Sequence, residues 1–433
     1  MRKALTAAVV AIFVVVPGAS QAASSFDDLV ANLKSPNVRT RLDAATALGK
    51  TRRAEAVTPL AAAIRSEPEA KVRQEVVRAL RVLRDLNAVP ALVAAMSDVE
   101  GDVREEALGT LVELYADRER QGAVSKFLQM FSDEYDQPAP APFTPVEASV
   151  YHAMAQALHD ERKEIREEAA FAIGILDGRS ATGDLVQTLQ DPEPAVRGAA
   201  ATSIGKVGTS TDGQRLIPLL ADENATVRNR VLQAIGALRV PSAGPALREM
   251  FEANRRKESA VRILDALSKV GDPAQADLFR EIVKDPDPEK KRLAIEGLGR
   301  VSDKSLLSAF KKDFQRERND DLRLAYSFAL VRLGDHDFLD SIVLGLTSTT
   351  AGKRCRDYLL EVGPSVLSDI YPYLNDQDAN IRAELCDIIG AMGDEASITW
   401  LDPLVKDPSP KVADRANRAI ERLRRHGGPA AGR

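Results

Sequence analysis

Aromatic side chains are scarce in this sequence, at 5% of residues with a single Trp, which leaves little of the material that strands favour. Ala, Leu, Arg and Glu are plentiful instead, and the balance points to an all-helical chain. Histidine is also rare. The four are followed by Ala, Asp, Asp and Gly (His152, His159, His336 and His426), never by Glu, and their scatter suits solvated surface better than a ligand set. No Gly-x-Ser-x-Gly elbow, Walker loop or Cys-x-x-Cys pair occurs anywhere. The sequence therefore offers no catalytic residues, no cofactor-binding residues and no metal ligands, and its reading is non-enzymatic. Positive charge is not in excess either: the formal net charge is −5, which argues against nucleic acid as a partner.

Long apolar runs are missing except at the start. Met1-Arg2-Lys3 is basic, Ala4 to Val16 carries no charge, Pro17-Gly18 breaks the run, and Ser20-Gln21-Ala22 offers small residues for a cut after Ala22. The run is short for a bilayer span. Residues 1–22 are accordingly expected to be a signal peptide, so that the protein is periplasmic or secreted and has no membrane span once the signal is removed. Loss of Arg2 and Lys3 takes the formal charge from −5 to −7.

What the chain has in abundance is one unit, repeated. Asp191-Pro-Glu-Pro-Ala-Val196-Arg197 leads into a helix with Val196, Ala200, Ala201 and Ile204 on one face, followed by Gly205 and Gly208. Aligned on Arg197, the copies place Arg41, Arg73, Arg104, Arg166, Arg228, Ala260, Lys291, Arg323, Gly352, Arg382 and Ala413 at steps of 29 to 32 residues, apart from one step of 62 between Arg104 and Arg166. That longer step equals two periods, so one copy is expected to lack its second helix. A fixed period of this length signals stacked helix pairs sharing one continuous core, as 433 residues exceed what a single compact core usually fills. Asp stands six residues before the aligned position in Asp98, Asp160, Asp191, Asp222, Asp285, Asp376 and Asp407. Such a carboxylate can accept N–H groups at a helix start, and a guanidinium can bridge it to a neighbouring loop. The recurrence makes Asp98, Arg104, Asp160, Arg166, Asp191, Arg197, Asp222, Arg228, Asp376 and Arg382 a structural ladder rather than a binding site.

The Asp-x5-Arg spacing, the Val/Ile-Arg-x-x-Ala-Ala pattern and the closing Gly resemble HEAT repeats. The short period resembles the type found in bilin (phycobilisome) lyases and deoxyhypusine hydroxylase. The resemblance covers residues 26–423 and implies a right-handed, curved α-solenoid of about a dozen helix pairs, with second helices lining the inner face and a loop-to-loop Asp/Arg ladder. The hydroxylase's iron-binding His-Glu pairs have no counterpart here, and a lyase would need a pigment that an exported chain rarely meets.

The expected layout is a signal peptide at 1–22, a solenoid at 23–425 interrupted by a Pro-rich loop at 132–145, and a disordered tail at 426–433. Charge is uneven along it. From Arg39 to Arg84 there are 11 basic and 5 acidic residues, and from Asp98 to Glu168 there are 7 and 17. Glu105, Glu106 and Glu113 before the interruption, and Glu167 and Glu168 after it, fall at non-core positions, and Phe171 shares that exposed stripe. With Tyr135 and Phe143 from the Pro-rich stretch they suggest an acidic groove with an apolar anchor, suited to a basic protein partner. The expected function is an exported interaction scaffold or adaptor. The alternatives are an enzyme or lyase-like activity on the same scaffold and a plain structural spacer. Cys355 and Cys386 lie one period apart, and either a bridge or two buried thiols fits that spacing. Stacked helices at about 8–10 Å, set against the roughly 7 Å limit for a disulfide's Cα atoms, favour the thiols.

Overall fold

The computed structural model describes residues 25–115 and 145–426, and everything described is helix, turn or loop, without a strand among the described residues. The expected signal peptide, Tyr135, Phe143, the Pro-rich stretch up to residue 144 and the tail from 427 lie outside the described residues. Among the described residues no helix is long and apolar enough to cross a membrane. The chain is an α-solenoid built of two compact units: residues 25–115 with 145–157, and residues 158–426.

Numbering only the second helix of each pair, the first unit holds α1 (Val38–Thr51), α2 (Ala70–Leu83) and α3 (Gly101–Tyr115). The second unit holds α4 (Lys163–Ile175), α5 (Pro194–Val207), α6 (Ala225–Ala237), α7 (Ser259–Val270), α8 (Pro288–Val301), α9 (Asp320–Arg332), α10 (Gly352–Val362), α11 (Ala379–Met392) and α12 (Pro410–His426). First helices are shorter and most follow a 3-10 turn, as Pro241–Ala243 precedes Gly244–Asn254.

Most second helices start where an Asp, Asn or Glu side chain caps the helix or its leading loop, α7 and α10 being exceptions. Asp222 Oδ1 accepts from the Asn224 N–H, and Asn224 Oδ1 in turn accepts from Thr226 and Val227. The same first step recurs at Asp98, Asp160, Asp191, Asp285, Asp376 and Asp407. Burial follows the expected face: Val196, Ala200, Ala201 and Ile204 are all fully buried. The glycine at the eighth position turns out to lie inside the helix and serves close approach. A Cβ on Gly205 would sit 2.9 Å from Ala234 Cα, and one on Gly299 2.7 Å from Ala329 Cα. Successive second helices therefore touch backbone to backbone at that level.

Ala148–Ala157 packs on Val89–Ala95 within the first unit. The copy expected to lack its second helix falls at residues 116–144, outside the described residues.

In the second unit the second helices form the concave side. Arg239, just past α6, reaches Glu361 at the end of α10 with an N–O distance of 3.0 Å. Those residues sit four repeats apart. In a straight stack four intervals would separate them by about 30–40 Å, far beyond the reach of two side chains. Only a strongly curved unit with its second helices inside brings them together.

Candidate interaction face

The ladder forms as a set of bidentate rungs. Arg73 Nε and Nη2 donate to Asp98 at 2.6 and 2.7 Å, and Arg166–Asp191, Arg197–Asp222 and Arg382–Asp407 repeat that geometry. The third nitrogen, Nη1, donates to carbonyls of its own loop, as Arg197 does to Asp191 and Pro192. Each rung thus ties a helix start to the loop before it and to the loop one repeat on. The Arg197 guanidinium holds the Asp222 carboxyl below its ordinary range, and Arg382 does the same for Asp407. At Asp98 and Asp191 burial is the largest influence and raises the carboxyl, but the hydrogen bonds from Arg73 and Arg166, a backbone N–H and the nearby guanidinium charges together outweigh it. Two rungs use Glu, which the Asp-only pattern passed over: Arg41 with Glu67 and Lys291 with Glu317. Arg104 and Arg228 donate to the carbonyls of their own loops. The residue 25 positions after Arg228, where a rung would find its carboxylate, is Ala253. Asp376 caps its helix start, but the aligned position one repeat earlier is Gly352.

The proposed acidic stripe is changed by its surroundings. Glu105, Glu106 and Glu113 lie on α3 of the first unit, and Glu167 and Glu168 on α4 of the second, all half-buried. Glu106 takes Arg78 and Arg81, and Glu113 takes Arg81, from the preceding helix α2. The basic run and the acidic run that stood apart in sequence therefore neutralise each other across one stacking interval, and little free acidity remains at Glu106 and Glu113. Burial raises the pKa of Glu167, with Arg230 pulling the other way. Phe171 is a correction: it is 3% exposed, with the Arg230 guanidinium 5.4 Å from its ring centre. Its position on α4 faces neighbouring side chains rather than solvent. Trp400 is the converse, 51% exposed and stacked on Tyr371 with ring centres 4.7 Å apart. Cys355 and Cys386 are both free and buried, and burial pushes their thiols up to about 11 and about 12.

The most unusual constellation lies on the concave side of the second unit. Glu361 on α10 accepts both Arg300 Nε at 2.9 Å and Arg300 Nη2 at 3.0 Å, and its Oε1 also takes Arg239. Arg300, on α8, further donates from Nη1 to Ser268 Oγ of α7 at 2.6 Å, and its guanidinium lies over the Phe328 ring of α9. Glu296, one turn earlier on α8, takes Arg292 and the Tyr358 hydroxyl, while Tyr358 stacks on Phe328. Glu296 and Arg300 are 3% and 9% exposed. Burial alone would raise the Glu296 carboxyl, but Arg292 and Arg300 outweigh it and hold it below its ordinary range, and Arg300 does the same for Glu361. Five consecutive repeats contribute to this network.

Arg332, at the end of α9, stands at its edge. It is half-buried, its Nε is enclosed, and it makes no hydrogen bond or ion pair among the described residues. Burial lowers its pKa, Glu361 opposes this, and Arg239 and Arg300 add to it. Reading charge linearly missed this site. The signal was a register: nine residues after the aligned position stand Lys206, Lys269, Arg300 and Arg332, then Glu361.

Among the described residues no three or more His, Cys, Asp or Glu side chains are grouped to hold a metal. His152 meets Gln156, and His336 meets Asp369.

The HEAT-repeat family model matches at residues 11–81, 26–112, 152–235 and 213–287, together more than half of the chain. No curated protein sequence matches. Three solved structures match at low identity. An engineered protein is 15% identical, with 92% of this chain and 98% of that one covered and a TM-score of 0.36. YibA of Escherichia coli is 20% identical, covering 63% and 91%, with a TM-score of 0.40. A chain from the complex of CpcE and CpcF of phycocyanin lyase from Nostoc sp. PCC7120 is 23% identical, covering 59% and 97%, with a TM-score of 0.28.

Proposed function

Because this chain belongs to the HEAT-repeat family, whose scaffold fits a protein-interaction role, we propose that it is an exported scaffold that binds another protein on the concave face of its second unit. The observation that carries this reading is the curvature itself: Arg239 and Glu361, four repeats apart, meet on that face. That face is tightly curved and carries charged groups that a mere spacer would have no need to bury. The basic start and small-residue cut of residues 1–22 support export to the periplasm or beyond. In this reading the chain performs no reaction of its own; it holds a partner.

Crosslinking in intact cells, followed by capture from the exported fraction, tests both parts. The expected result is one recurrent protein partner, crosslinked through residues on α7 to α10. Finding the chain only in the cytoplasm with residues 1–22 retained would overturn export. Crosslinks confined to the outer, first-helix side would overturn the concave face as the binding surface.

A further inference from the structure

The concave network has more cations than it can use. Four guanidiniums, Arg239, Arg292, Arg300 and Arg332, face the carboxylates Glu296 and Glu361, and a third, the exposed Glu289, stands 3.9 Å from Arg292. The nearby carboxylate Asp265 is paired with Lys269 on its own helix at 3.0 Å. Arg300 takes both oxygens of Glu361, and Arg239 shares one. Arg332 feels the Glu361 charge but makes no hydrogen bond to it, and its Nε is enclosed without a partner. A buried donor of a charged group left without an acceptor is costly in a finished protein. Exposure grades across the three nearest guanidiniums, from Arg300 (side chain 5% exposed) through half-buried Arg332 to Arg239 (44%), so the excess charge opens toward solvent on one side.

We infer that Arg332, flanked by Arg239 and Arg300, is an oxyanion-binding site, and that its occupant is a carboxylate from an acidic segment of the bound protein. A planar guanidinium with free N–H groups offers a carboxylate a two-pronged fit, and the low-dielectric wall strengthens the pair. This inference rests on the proposal that the concave face binds protein. It reverses the charge that counting along the sequence suggested: the partner presents acid to arginine, not base to glutamate.

The test uses the full chain and two probes at constant ionic strength: inorganic phosphate as the bare oxyanion, and a Glu-rich hexapeptide. A Lys-rich hexapeptide and added NaCl serve as controls. Phosphate and the Glu peptide are each expected to raise the melting temperature saturably beyond the NaCl control, and the Lys peptide is not. Arg332→Gln should weaken both by about tenfold or more. Its own melting temperature should not fall, because the substitution removes an uncompensated charge. Arg332→Lys, which keeps the charge but loses the fork, should fall between. Unchanged affinity in Arg332→Gln, or no saturable shift with either probe, overturns the site. A shift with phosphate alone overturns the carboxylate assignment and leaves a free-anion site. Partner capture that survives Arg332→Gln undiminished separates failure of this site from failure of the scaffold reading, which would show as no capture by the wild-type chain.

Discussion

Arg52, Arg84 and Arg239 occupy the left-handed region, at φ 54°, 54° and 48°, eleven residues after the aligned position of their repeats. Gly271, Gly334, Gly363 and Gly393 fill the same place in other repeats, where glycine costs nothing. Arg239 uses that costly position to reach Glu361, and Arg84 to donate to the Glu113 carbonyl. Arg52 has no such duty, so Arg52→Gly should raise stability by about 0.5–1 kcal/mol, measured as an upward shift in the denaturant midpoint at constant slope. Gly299 is the opposite case. A Cβ there would press on the Ala329 backbone, so Gly299→Ala should cost about 1–3 kcal/mol; an unchanged midpoint would show that α8 and α9 have room to part. The closing glycine was legible in sequence, but its task was not. A repeat pattern shows that a small residue is required without showing whether it ends a helix or lets a backbone in.

At the scale of the helix pair, stability comes from rungs that each join two loops. Arg197 makes four hydrogen bonds, two of them to Asp222, with little solvent at either side chain. Arg197→Ala strands the Asp222 carboxylate and two loop carbonyls, and should cost about 2–3 kcal/mol. The measurement is a urea midpoint, with no selective loss of partner capture beyond what the lower stability explains. Rungs are missing at Arg228, which finds no carboxylate, and at Ala260 and Gly352, where the aligned residue is not basic, while Lys291–Glu317 persists between them. Over the same stretch the concave network runs from Arg239 to Glu361. Pairs on the first-helix side, such as Arg248–Asp277 and Arg280–Asp303, accompany it. Charge pairing between these repeats is thus spread beyond the ladder. The ladder could be read from sequence because its partners keep a nearly constant offset of 25 or 26 residues. The network could not, because its partners lie one, two and four repeats apart.

For the second unit as a body, the buried ion network makes stability depend on acid. Asp191, Asp222, Asp407, Glu296 and Glu361 are all held below their ordinary values. Groups whose folded pKa is depressed contribute fully above their unfolded values, near about 4, and lose that contribution as pH falls through the folded values. The melting temperature should stay level above about pH 5 and drop steeply below about pH 4; a flat profile from pH 5 to 3 would count against the network. Glu296→Gln removes the main charge partner of Arg292 and the second carboxylate beside Arg300, and should cost about 3 kcal/mol or more at pH 7. The two cysteines should stay inert to thiol reagents in the native protein and react, both of them, only on unfolding, since each is enclosed and its thiol is pushed up. A linked Cys355–Cys386 peptide from native protein would contradict this.

The sequence by itself determined the all-helical class, the period near 31, the apolar face of each second helix and the Asp/Arg rungs. All of these are local or recur at a fixed offset, so a linear chain displays them directly. Only the tertiary structure decided which charges remain unspent. Arg78 and Arg81 cancel Glu106 and Glu113 because stacking sets one repeat's basic face against the next one's acidic face. Phe171 is buried because Arg230 lies against it, and Arg332 is left over because curvature delivers Arg239 and Arg300 to Glu361 first. Curvature is the sum of many small rotations between neighbouring repeats, and no single stretch of sequence carries it.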